Sequence, residues 1–138
     1  MNRKLVFLLS LLGLAHAIVF IGGLSDRVSA LTWLVIWATC AVVISRRAPG
    51  HHFWHGFGVG LLNWFWVTVT HVVLFNTYVA HHPGEAAARW TKALPALPII
   101  GPIVATLRHY DAPIPGASAV IIGLLAWLTS RFLKPKRA

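Results

Sequence analysis

Acid is what this chain lacks most: among 138 residues only Asp26, Glu85 and Asp111 carry a side-chain carboxyl. Charged residues of both signs make up 11%, against about 25% in an average soluble domain. A soluble chain this short exposes most of its surface and needs far more charge to stay dispersed. Cysteine is nearly missing too. Cys40 stands alone inside an apolar run, which excludes an internal disulfide and leaves the redox compartment unread. There is no Asn-x-Ser/Thr sequon, prenylation box or retention signal. Nucleotide-binding loops and nucleophile motifs are also absent, which leaves little basis for hydrolytic or transfer chemistry.

What is present is apolar. Hydrophobic residues make up 57% of the chain, and mean hydropathy is +0.71. These values define an all-α integral membrane protein of one domain, residues 1–138. The net charge of +9 comes from twelve Lys and Arg. They cluster at the ends of apolar segments, where they set topology rather than bind nucleic acid.

A hydrocarbon core about 30 Å thick needs roughly 17–25 apolar residues in a helix. Residues 5–24, 28–44, 57–79 and 117–133 meet or nearly meet that length, which predicts a small bundle of four transmembrane helices. Ser25, Asp26 and Arg27 alone separate the first two, as in an antiparallel hairpin. Residues 81–116 form the non-spanning region. Within it, "HHPGEAAARWTKAL" suits a short helix at the headgroups, with Pro83 in its first turn. Residues 94–107 are apolar, but Pro95, Pro98 and Pro102 and the short length suit a re-entrant or interfacial element.

Charge fixes the orientation. With four spans and the amino terminus inside, Arg3, Lys4, Arg46, Arg47, Arg131, Lys134, Lys136 and Arg137 face the cytoplasm. Arg27, Arg89, Lys92 and Arg108 face out, and an extra span would move the basic tail outside, against the positive-inside bias. The plan resembles that of small bacterial four-span inner-membrane proteins, with both termini cytoplasmic. A rival reading makes the first segment a signal peptide: a basic start, an apolar stretch and Ala15-His16-Ala17 fit a cleavage pattern. The seven apolar residues that follow favour an uncleaved anchor.

The third span carries unusual polarity. Asn63, Thr70, His71, Asn76 and Tyr78 are expected to make polar contacts between helices, because polar groups at membrane depth face other helices or a cavity. Gly56 and Gly60 form a small-xxx-small pair that permits close helix approach. His16 lies about 17 Å along span one and His71 about 21 Å along span three at 1.5 Å per residue. At similar depths, the two imidazoles are candidates to ligate haem b from opposite faces, to hydrogen-bond, or to carry a proton.

Two further clusters stand out. His81, His82, Glu85, His109 and Asp111 offer nitrogen and carboxylate ligands for a divalent metal on the outer side, against a plain solvated loop. "HHFWH" at residues 51–55 invites a comparison with di-iron desaturase boxes. Topology opposes it, since its partner histidines would lie across the membrane. Arg46, Arg47, His51, His52 and Trp54 instead read as an inner headgroup belt attracting anionic phospholipid. The expected protein is therefore a non-catalytic accessory, assembly or lipid-interacting subunit, as a homo-oligomer or in a larger membrane complex, with no cofactor. The alternatives are a redox or metal protein using the histidines, and a small dimeric transporter with His71 as its proton-linked residue.

Overall fold

In a computed structural model of the protein, residues 1–84 and 113–133 are described, with side chains in the last helix from residue 117 onward. The described residues are all helical, with no strand. Five helices follow in order: α1 Arg3–Ile21, α2 Asp26–Arg47, α3 His52–Val73, α4 Phe75–His81 and α5 Pro113–Phe132. α1, α2 and α3 are long and apolar enough to cross a membrane, while the apolar part of α5, Ala117–Phe132, is shorter. The expected interfacial segment 94–107, the expected headgroup helix from residue 85 on, and the basic residues Arg89, Lys92, Arg108, Lys134, Lys136 and Arg137 lie outside the described residues.

Local chemistry sets the helix ends. The Asn2 side chain caps α1 by accepting from the Leu5 amide at 3.1 Å, which satisfies one of the four unpaired amides of a helix start. α1 stops at Gly22, and Gly23 turns the chain at a φ of 105°. Asp26 opens α2 and Arg46 and Arg47 close it, each placed favourably against the helix dipole.

The third expected span, 57–79, is two helices instead of one. The backbone breaks at Leu74, with φ −103° and ψ 27°. No proline or glycine marks the place. Two side chains in the preceding turn donate back to the helix: Thr70 Oγ1 to the Trp66 carbonyl and His71 Nδ1 to the Val67 carbonyl. Such back-bonding competes with the backbone ladder and bends helices.

Contacts give the arrangement. α1 and α3 run parallel, since Asn2 meets His55, Ser10 meets Trp66 and Phe20 meets His71. α2 runs against α1, and α5 runs against α3. α3 packs most extensively on α5 and then on α1, while α2 leans chiefly on α5. α1 and α2 do pack antiparallel, but α1 rests far more on α3 than on its neighbour in sequence. The apolar core joins Leu5, Val6, Leu9, Ile36, Cys40, Ile44, Val59, Ile122 and Ala126. It fills the half of the bundle that holds the amino ends of α1 and α3.

Glycine makes the α3–α5 contact. A Cβ on Gly56 would sit 2.6 Å from the Ile122 carbonyl oxygen, and one on Gly60 would overlap the Ala119 backbone. Gly123 reciprocates, with Phe53 where its Cβ would be. In lipid, where no hydrophobic drive separates helix from tail, close backbone packing of this kind supplies the association energy.

Candidate functional site

Two regions carry functional side chains. At one end of the bundle lie Arg3, Lys4, Arg46, Arg47 and Arg131, from the amino end of α1 and the carboxyl ends of α2 and α5. Arg27 is the one basic side chain at the opposite end among the described residues. Of the expected headgroup residues, Arg46, Arg47, His51 and Trp54 are exposed and His52 is half-buried. Arg131 lies over the Trp127 ring, 4.9 Å from its centroid, a cation–π contact that holds the guanidinium at the rim.

His55, the last histidine of that stretch, behaves differently. It is fully buried. Its Nδ1–H donates to the His51 carbonyl at 3.0 Å, and its Nε2 accepts the Asn2 backbone N–H at 2.7 Å. The carbonyl can only accept, so the ring is a neutral imidazole with its hydrogen on Nδ1. His51 adopts the left-handed conformation, φ 51°, after Gly50 at φ 148°, which aims that carbonyl at both the His55 amide and ring.

The second region is the seam between α1 and α3. Its far end is aromatic. His82 Nε2 donates to the Phe20 carbonyl at 2.9 Å, and its ring stacks on Phe20 at 4.7 Å and on Tyr78 at 4.9 Å. His82 thus caps the carboxyl end of α1. Tyr78 is buried, 5.1 Å from His71, whose Nδ1–H is pinned to the Val67 carbonyl at 2.8 Å. Phe20 lies 6.1 Å from His71 and 6.4 Å from His16.

Deeper in, His16 is 6% exposed. Its Nε2 is 3.1 Å from the Ser29 hydroxyl of α2, and Trp33 meets its ring edge-on at 4.7 Å. Its Nδ1 is buried with no hydrogen-bond partner. One turn further, the Asn63 side chain lies against Gly13, in the space a Cβ there would fill. Asn63 is 3% exposed, and both its amide atoms are unpartnered. Below it, Trp66 Nε1 donates to Ser10 Oγ at 3.1 Å, which itself donates to the Phe7 carbonyl at 2.7 Å.

The histidines expected to pair, His16 and His71, each lie beside Phe20, but His16 is turned toward α2 through Ser29 and Trp33. Haem axial ligation uses Nε2 in a bis-histidine site. For His16 that nitrogen faces Ser29, so a haem held there would have to displace this hydrogen bond. Of the expected outer metal ligands, His81 is exposed and its Nδ1 donates to the Thr77 carbonyl at 2.9 Å. His82 Nε2 is used on Phe20. Glu85, His109 and Asp111 lie outside the described residues. Among the described residues no three His, Cys, Asp or Glu side chains gather to hold a metal ion. Of the expected polar contacts, Asn63, Thr70, His71 and Tyr78 are buried, while Asn76 is exposed on α4.

Sequence reasoning missed Ser10 and Phe20 on this seam, Ser29 as the α2 partner of His16, and the inward turn of His55. A four-residue spacing from His51 to His55, followed at once by Gly56, was the available signal that His55 turns inward with the glycine face. Searches of protein-family models, of curated proteins and of solved structures find nothing that matches this chain.

Proposed function

We propose that this chain is a four-span bacterial inner-membrane protein, without a catalytic centre of its own, that serves a larger membrane assembly as a lipid-binding accessory subunit. The observation that carries the reading is the one-sided charge: Arg3, Lys4, Arg46, Arg47 and Arg131 gather at one end. The positive-inside bias makes that end cytoplasmic, with both termini inside. α5 supplies the fourth span. Its 20 residues reach about 30 Å at 1.5 Å per residue, it runs against α3, and Arg131 ends it at the basic side. α1 stays in the bundle as an anchor, since Val6, Ser10, Ala17 and Ile21 are buried in it.

The basic belt with exposed Trp54 attracts anionic phospholipid, each basic group contributing about 1 kcal/mol near such a surface. Native mass spectrometry of detergent-purified protein with phosphatidylglycerol and phosphatidylcholine tests this. Retained phosphatidylglycerol that disappears in the Arg46→Gln/Arg47→Gln variant is the expected result. Equal retention of the two lipids would remove the lipid role. Cysteine-accessibility labelling of both termini in spheroplasts checks the orientation separately, and labelling from outside would overturn it.

A further inference from the structure

The outward flank of the α3–α5 contact carries two parallel stripes of large side chains. On α5, Val120, Leu124, Trp127 and Arg131 follow at spacings of four, three and four, so they share one face. All four are exposed. On α3, Trp54, Phe57 and Leu61 follow at three and four, with Trp54 and Leu61 exposed and Phe57 half-buried. Phe53, Trp54 and Phe57 form one ring cluster, with centroids 5.4, 6.0 and 5.8 Å apart. Phe53 lies against Gly123, one helical turn before Trp127 and two before Arg131. That contact sets the α3 rings alongside the α5 stripe. Val59, Ile122 and Ala126 turn the other way, into the apolar core. Between the stripes the glycines bring the backbones together, so the rings wall a shallow groove that faces lipid.

Length and charge identify what fills it. The rise from Val120 to Arg131 is about 16 Å at 1.5 Å per residue, which matches one leaflet of a hydrocarbon core about 30 Å thick. An acyl chain fits a slot of that length, and the wet end of the slot holds a guanidinium. Arg131 lies over the Trp127 ring. The ring engages one side of the guanidinium and leaves N–H donors for a phosphate oxygen, the oxyanion that arginine binds best. Among the described residues the only carboxylate is Asp26, at the far end of α2, so none of them neutralises Arg131. A phosphodiester does.

We infer that this groove seats one anionic phospholipid of the leaflet at the basic end. Its phosphate sits on Arg131, and one acyl chain runs along Trp127, Phe57 and Val120. The seat rests on the lipid-binding reading and deepens it: Arg46 and Arg47 draw anionic lipid to this end, and the groove gives one molecule a fixed address. Phosphatidylcholine offers the same phosphate beside a cation, which the basic rim repels.

Photocrosslinking locates the lipid. The full chain in detergent is mixed with phosphatidylglycerol carrying a diazirine midway along one chain, then irradiated, digested and mapped by mass spectrometry. The expected adducts fall on the α3 segment around Phe57 and the α5 segment around Leu124. Their yield should drop about fivefold in Arg131→Gln, the worth of one basic group near an anionic headgroup, and comparably in Trp127→Ala. Both side chains are exposed, so both variants should melt with the parent protein. Leu34→Ala, on the exposed face of α2, should leave the yield unchanged. Adducts confined to α1 and α2, an equal yield from phosphatidylcholine with the same diazirine, or a yield undiminished in Arg131→Gln would each overturn the seat. Native mass spectrometry separates that failure from failure of the wider reading. Phosphatidylglycerol kept by Arg131→Gln but lost from Arg46→Gln/Arg47→Gln would leave the lipid role standing and remove the groove. Equal retention of phosphatidylglycerol and phosphatidylcholine by the parent protein would remove both.

Discussion

The two faces of α3 solve opposite problems. Toward α5 it presents Gly56 and Gly60, and the helices touch backbone to backbone at Ala119, Ile122 and Gly123. Toward α1 it presents Asn63, Trp66 and His71, and the contact is held by hydrogen bonds such as Trp66 to Ser10 and by ring packing on Phe20. The first interface is specified by shape and tolerates no added atom. The second is specified by polar partners, leaves some of them unsatisfied, and so has chemistry left to offer. One helix thereby turns a shape-specified face to α5 and a partly polar one to α1.

Substitutions that add bulk should break this contrast most sharply on the α5 side. Gly60→Leu places side-chain atoms inside the Ala119 backbone, and a loss of about 3 kcal/mol is expected for overpacking that cannot relax. Thermal unfolding in detergent, followed by circular dichroism, reads it as a large fall in Tm. On the α1 side the same kind of change costs less. Gly13→Ala meets the movable Asn63 side chain, and about 1–2 kcal/mol is expected. Adding Asn63→Ala should recover most of that loss, a coupling that a double-mutant cycle measures directly.

Smaller still is the effect at the basic end. His55→Leu leaves the partly buried Asn2 N–H without its acceptor, at a cost of about 1 kcal/mol. His55→Gln, which can place an oxygen near the lost Nε2, should restore most of it; unfolding of the two variants side by side decides. At the bottom of the scale is Thr32→Val on α2, half-buried and bonded to its own helix. It should shift stability by less than about 0.5 kcal/mol, and a larger change would mean that this face of α2 is covered.

Much of the α5 seam was readable beforehand. The Gly56–Gly60 spacing announces close packing, and hydropathy locates α1 and α2 closely, whereas the third expected span, 57–79, begins and ends well past α3, His52–Val73. The α1 seam was half readable. Helical rise puts His16 and His71 near one depth, but rise says nothing about rotation. Which nitrogen of His16 meets which hydroxyl depends on how α1 turns toward α2 and α3. The short link between α1 and α2 suggested an antiparallel hairpin and said nothing of how α1 would rest on α3, while glycine on α3 drew α5 close to the other side. The break at Leu74 was hidden because it arises from the Thr70 and His71 side chains bonding back to their own helix, with no glycine or proline to announce it.

The hydrogen bonds that α1 makes with later segments have a further consequence, for the order in which the protein is made. Asn2 finds its partner 53 residues later, Ser10 finds Trp66 after 56, and the Phe20 carbonyl waits 62 residues for His82. During synthesis α1 therefore enters the bilayer with its polar stripe unmatched, and α2 offers it only Ser29 in the interval. The first helix depends on shelter at the insertion site until the third emerges. Biogenesis of this small protein is a matter of timing as much as of hydrophobicity.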